Sequence, residues 1–311
     1  MIVRRALSSG GAIAVAVVLL ALTACTHVEK EDTGATLDVM PRGAAMVRFA
    51  VIGDYGLAGP AAAAVADLVK SWKPDFIITT GDNNYPAGAA ETIDQNIGQY
   101  YGDYIAPYKG VFGAGAATNR FFPSLGNHDL HTADGAPYFA YFTLPGNGRY
   151  YDFNAGPIHF FALDSDFYEP DGTSSTSRQG RWVQKRLGDS HACWHIVYFH
   201  HPPYASSGKE TLRMRWPFTR WGVDVVLAGH QHTYERLSNE GVTYIVVGLS
   251  GAEIDPLEAP SPFSQTRFNA DHGALFGIAE GGRLTFEFRT SAGVLIDTDQ
   301  LKKSCDRTTS P

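Results

Sequence analysis

Short apolar runs closed by a glycine and a polar residue recur along the chain. Met46 to Ile52 is one such run, stopped by Gly53-Asp54, and predicts a buried strand. Phe76 to Thr80 ends in Gly81-Asp82, and Phe121 to Leu125 ends in Gly126-Asn127-His128-Asp129. His195 to Phe199 runs into His200-His201-Pro202, and Val223 to Leu227 into Ala228-Gly229-His230. The alanine-rich stretch Pro60 to Trp72 predicts a helix, with Pro74 beyond its end, and a second helix is expected near Gly180 to Leu187. Tyr150 to Phe153 and Ile158 to Leu163 predict a hairpin around Asn154-Ala155-Gly156. Val242 to Val247 and Ala274 to Asp299 add strands, turning at Gly281-Gly282 and Ala292-Gly293. Strands alternate with helices early and hairpins dominate late. That order predicts an α/β fold of mixed sheets with helices outside, not a purely doubly wound sheet.

Five of these strands end in a polar residue: Asp54, Asp82, Asn127, His200 and His230. Ligands of α/β folds gather at the carboxyl ends of strands, and core packing alone gives no reason to put acid, amide and imidazole there.

Composition divides the chain. Residues 1–24 open with Arg4-Arg5, run through apolar Ala12 to Leu22 and meet small residues, the order of a secretory signal. The run Leu22-Thr23-Ala24-Cys25 resembles a bacterial lipoprotein box, which implies lipid on Cys25 and anchorage to the extracytoplasmic face of a cell membrane. Residues 25–45 are expected to form a flexible tether, 46–301 a single catalytic domain and 302–311 a frayed tail. The formal charge of −7 becomes −9 once the leader's two arginines are gone, which argues against binding nucleic acid or anionic lipid by bulk charge. With 44% apolar residues the chain can bury a full core. Cys193 and Cys305 are an even pair in an exported chain, so a disulfide is open to them, although sequence alone does not bring them together.

Asp, Asn and His are donors for hard or borderline metals, and one carboxylate can bridge two ions. Two adjacent cations can bind a phosphoryl group and activate water. In their order and spacing, the five segments resemble those of the calcineurin-like metallophosphoesterases, and more narrowly the purple acid phosphatases. Tyr85 lies three residues after Asp82, where that family binds ferric iron with a tyrosinate. Gly56 stands where most other metallophosphoesterases place a metal-binding histidine. The run His230 to Arg236 is similar to the plant and fungal branch. The resemblance implies a β-sandwich of two mixed sheets flanked by helices. It also implies two metal positions: Asp54, Tyr85, His232 and shared Asp82 at the first, and Asp82, Asn127, His200 and His230 at the second. Three anionic ligands at the first suit Fe(III); neutral amide and imidazoles at the second suit a divalent ion, with iron, zinc and manganese open.

The implied activity is hydrolysis of phosphate monoesters by metal-activated hydroxide, with His128 protonating the leaving group. Asp129 is a candidate to orient His128, or equally to cap its loop. His201 is a further catalytic candidate, although continued strand alternation would turn it away from the metals. The family's second active-site histidine is missing from Tyr204 to Thr211; Tyr204, Lys209 and His131 are candidates to stand in, and Asn83 is a candidate substrate contact. Two alternatives stay open: a phosphodiesterase or nucleotide hydrolase on the same scaffold, and a non-catalytic surface lipoprotein that binds metal or phosphate. The oligomeric state is not legible.

Overall fold

Runs of β-branched and aromatic residues make buried strands wherever both faces can be covered, and here two sheets cover each other. The computed structural model describes residues 36–305. One sheet has the order β1 (Leu37–Met40), β5 (Tyr151–Ala155), β6 (Ile158–Ala162), β7 (Trp194–Tyr198), β8 (Val225–Ala228), β10 (Val242–Val247), β9 (Tyr234–Asn239), β11 (Ser264–Phe268). The other has the order β14 (Leu295–Lys302), β13 (Arg283–Thr290), β12 (Gly273–Glu280), β2 (Val47–Ile52), β3 (Phe76–Thr79), β4 (Phe121–Pro123). β2, β3 and β4 run parallel, as do β6, β7, β8 and β10, so the carboxyl ends within each set share one edge.

The layer between the sheets is aromatic. Phe49 and Phe76 of one sheet meet Phe160 of the other edge to face, with ring centres 5.1 and 5.4 Å apart. Each fully buried phenyl ring contributes about 2–3 kcal/mol by area alone. Helix Pro60–Ser71 starts on a proline, carries Lys70 in its last turn, and buries Val65, Ala66 and Val69 against Ala50, Ile52 and Ile77 on the outer face of the six-stranded sheet. Helix Arg178–Gly188 is capped by the Ser177 hydroxyl and buries Val183 and Leu187 against Phe161, Val197 and Val226 of the other sheet.

Both expected ends of the domain are revised. Leu37–Met40, placed in the tether by its polar surroundings, pairs in parallel with β5. At the other end β14 continues to Lys302, Lys303 donates to the Gly282 carbonyl, and Cys305 is bonded to Cys193, so 302–305 are tied down rather than frayed. The expected leader, Cys25 and tether residues 25–35 lie outside the described residues, as do 306–311. Among the described residues no helix is long and apolar enough to cross a membrane.

Candidate metal centre

The parallel strands β2, β3, β4, β7 and β8 deliver Asp54, Asp82, Asn127, His200 and His230 to one edge, and the loop after β8 adds His232. Asp54, Asp82 and His230 adopt left-handed backbone conformations, with φ of 54°, 52° and 68°. Such conformations are disfavoured for non-glycine residues and persist where the surroundings over-determine them. Asp54 is fully buried, and its carboxylate accepts from the His230 backbone N–H at 3.0 Å. Asp82 is 2% exposed and its Oδ1 accepts from the His128 N–H at 3.0 Å.

The glycines beside these residues are there because chain segments touch. A Cβ on Gly56 would lie 2.1 Å from the Asn83 carbonyl carbon, so no side chain, histidine included, can occupy that position. A Cβ on Gly126 would lie 2.2 Å from Asp82 Oδ1.

The protons of the imidazoles can be assigned from their partners. His200 Nδ1 lies 2.9 Å from the Thr80 carbonyl, which only accepts, so Nδ1 carries the proton and Nε2 of the neutral ring has a bare lone pair. Around that Nε2 stand Asn127 Oδ1 at 3.0 Å, His230 Nδ1 at 3.2 Å and Asp82 Oδ2 at 3.3 Å. His232 repeats the pattern. Its Nδ1 donates to the Glu253 carbonyl at 2.6 Å, and its Nε2 faces the Tyr85 hydroxyl at 3.2 Å and Asp54 Oδ1 at 3.3 Å. The Tyr85 hydroxyl also reaches Asp82 Oδ2 at 2.9 Å, so this one carboxylate oxygen belongs to both clusters.

Lone pairs converging on two points need positive charge between them, and in the bare protein protons supply it. Burial pulls His200 down, yet the charges of Asp82 and Asp54 win and raise it to about 9. His232 reaches about 8 in the same way, burial being outweighed by Asp54. His230, buried and beside His200, is pushed down to about 3. Tyr85 is driven well above the phenol range, first by burial and then by Asp54 and Asp82. A cation at this point reverses that balance and favours the phenolate. Chemically, the residues present fit two adjacent cations.

His128 lies at the mouth of the centre, its Nδ1 donating to the Pro86 carbonyl at 2.6 Å and its Nε2 3.9 Å from Asp82 Oδ2. The His131 ring lies 5.1 Å from it. His201 is turned inward, correcting the outward orientation expected from strand alternation, because β7 ends at Tyr198 and the alternation stops there. Its ring lies 4.5 Å from that of His230, and its Nδ1 is 2.9 Å from Ser165 Oγ.

Three candidates are corrected. Asp129 does not orient His128; its carboxylate accepts from the backbone N–H groups of Asn83 and Gly126 and from Asn83 Nδ2, which is the capping role. Asn83 is fully buried and its amide is fully used by Tyr55, Thr79, Ser124 and Asp129, so it has nothing to offer a substrate. Tyr204 packs against Tyr244 and Phe263 under the Arg215 guanidinium, within the core cluster outside the eight-stranded sheet. Lys209 is brought to the loop of His232: its ammonium pairs with Asp255 at 2.6 Å, and Asp255 accepts the His232 backbone N–H at 3.0 Å.

Supporting groups went unread because most are backbone carbonyls. Glu235 was legible only as part of the run His230 to Arg236; its buried carboxylate holds Ser206 by the backbone N–H at 2.9 Å and by the hydroxyl.

This fold carries, at one edge of its sheets, two His/Asp clusters that could each hold a metal ion. Residues 47–234 match the calcineurin-like phosphoesterase model, and the chain belongs to that family. Among curated relatives it is 26% identical over 278 residues to human acid phosphatase type 7, covering 71% of this chain and 59% of that one. It is 27% identical over 277 residues to purple acid phosphatase 15 of Arabidopsis thaliana, covering 70% and 49%. The chain thus spans about half the length of the curated relatives it matches. The solved purple acid phosphatase PPD1 of yellow lupin superposes with a TM-score of 0.71 at 19% identity, over 85% of this chain and 55% of that one. GAP50, the anchor in the inner membrane complex of Plasmodium, superposes with a TM-score of 0.66 at 16% identity, over 85% of this chain and 91% of that one. The resemblance read from the five segments is borne out, and so is the fold.

Proposed function

We propose that this chain is a binuclear, metal-dependent hydrolase of phosphate monoesters acting outside the cytoplasm. The observation that carries the reading is the pair of acceptor clusters that share Asp82 Oδ2. Asp54, Asp82, Tyr85 and His232 would hold the first cation, Fe(III) on the strength of three anionic donors. Asp82, Asn127, His200 and His230 would hold a divalent iron, zinc or manganese ion. Cations so held supply Lewis acidity toward a phosphoryl oxygen and activate water at working pH. Thr80 and Glu253 keep the ligating nitrogens of His200 and His232 bare. His128, fixed by Pro86, presents Nε2 at the open side, where an imidazolium can hand a proton to the leaving oxygen. Anchorage through lipid on Cys25 is part of the reading and rests on the sequence run Leu22 to Cys25.

The test is metal content, colour and turnover on one preparation. Two ions per chain, visible absorption lost in Tyr85→Phe, and glycerol phosphate hydrolysed at least about 100-fold faster than a bis-ester are expected. Chelation should abolish turnover and added metal restore it. A metal-loaded but colourless protein overturns the ferric assignment, faster diester cleavage overturns the monoester assignment, and metal without any turnover leaves a binding protein.

A further inference from the structure

His201 is not among the seven ligands that the family resemblance implies, yet the fold aims it at the centre. One ring nitrogen from each of His200, His201 and His230 lies within 4.8 Å of the other two. A point therefore exists no more than about 2.8 Å from all three, and ordinary metal–imidazole bonds of about 2.0–2.1 Å close on it with side-chain shifts below an ångström.

The support behind His201 has the form expected of a ligand. Ser165 is fully buried, and its Oγ accepts the His201 backbone N–H at 2.9 Å. The same hydroxyl lies 2.9 Å from His201 Nδ1, and a hydroxyl oxygen has a second acceptor site for an Nδ1–H as well as an O–H of its own to donate. In the tautomer whose Nδ1–H the Ser165 hydroxyl accepts, Nε2 keeps its lone pair free for a metal. Ser165 is held in turn by Arg213, whose Nη2 donates to its carbonyl at 2.8 Å. Ligating imidazoles characteristically have their second nitrogen fixed by such a partner.

We propose that His201 is a third imidazole ligand of the His200–His230 metal position, and that Ser165 sets its tautomer and angle. The proposal rests on the binuclear reading above. It gives the second position a nitrogen-rich donor set, which favours zinc or divalent iron over manganese.

The experiment titrates the purified full chain with Zn²⁺ and Mn²⁺ against a chelator of known affinity, for wild type, His201→Ala, His201→Gln and Ser165→Ala. Cobalt substitution reads the ligand field. Expected are two metal positions in every variant, with zinc held about 100-fold more weakly at one of them in both His201 variants and about tenfold more weakly in Ser165→Ala. The cobalt bands of that position should change, and manganese affinity should fall less than zinc affinity. Unfolding temperatures of the metal-free proteins check that each variant is folded, and Gln, close to His in volume, guards against a packing failure in Ala. Unchanged zinc affinity and cobalt bands in folded His201→Gln would overturn the proposal while leaving the binuclear reading intact. Wild type that takes up fewer than two ions overturns the reading beneath it.

Discussion

At the scale of the residue, His128 offers the sharpest test of chemistry. Its ring is exposed on one side, fixed by Pro86 on the other, and 4.5 Å from the Tyr85 ring. A proton donor to the leaving oxygen matters for an alkoxide and hardly at all for a stable phenolate. His128→Ala is therefore expected to lower kcat for an alkyl phosphate by about 10²–10⁴-fold and for p-nitrophenyl phosphate much less. Equal losses on the two substrates, measured side by side, would remove it from the proton path. Asp54, Asp82, Asn127, His200 and His230 were legible because each follows directly on an apolar run, where a polar group needs an explanation. Asn83 and Asp129 misled for a related reason: a polar residue inside such a motif can serve the motif's own backbone, and nothing in sequence separates that duty from contact with a substrate. His201 was misjudged because alternation was carried past the last paired residue of β7. The carbonyls of Thr80, Pro86 and Glu253, which set the imidazole tautomers, have no side-chain signature at all.

At the scale of the element, the strands β1, β9 and β11 escaped the sequence, as did the short helices between β3 and β5. Ser264–Phe268 reads SQTRF and Leu37–Met40 reads LDVM; both are edge strands, short and half covered, so neither shows the apolar run of a central strand. β9, paired with β10 and β11, is also tied across the sheets. Arg236 on β9 binds Asp297 on β14 through two hydrogen bonds of 2.7 and 3.0 Å, and the Tyr234 hydroxyl adds a third at 2.8 Å. Burial alone would raise the Asp297 carboxyl, but these donors outweigh it and hold it below the ordinary carboxylate value. A lowered carboxyl stabilises the fold above its unfolded pKa and stops doing so as pH falls through its folded value. Asp297→Asn is thus expected to cost about 2–3 kcal/mol at pH 7, with the gap from wild type closing below about pH 4. Denaturant unfolding at pH 7 and pH 3 measures it, and a gap that does not narrow at pH 3 would mean the carboxylate charge is not the source.

Across the whole molecule, the two sheets are also joined covalently. Cys193 precedes β7 in one sheet and Cys305 follows β14 in the other, 112 residues apart in sequence with Cα atoms 5.3 Å apart. Closing so long a loop restricts the unfolded chain, so reduction is expected to cost about 3–4 kcal/mol and lower Tm by about 6–10 °C. Because the bridge sits before β7 and the metal centre after it, turnover below the lowered Tm should not change. A thermal scan paired with an assay reads both, and lost turnover in still-folded, reduced protein would show that the two ends communicate. Cys193 and Cys305 were visible as an even pair; only the stacking of the sheets could show that they meet.

That stacking has a consequence for the centre. Among the proposed ligands, the six-stranded sheet and its loops supply only oxygen, from Asp54, Asp82, Tyr85 and Asn127, while the eight-stranded sheet and its loops supply only nitrogen, from the imidazoles. The gap between hard oxygen and borderline nitrogen donors is therefore set by the spacing of two whole sheets rather than by any single loop. The molecule works as a caliper whose jaws are oxygen and nitrogen and whose hinge is the Phe49–Phe76–Phe160 layer. Slimming or thickening that layer by a methylene, without touching a proposed ligand, is expected to change which ion the jaws prefer.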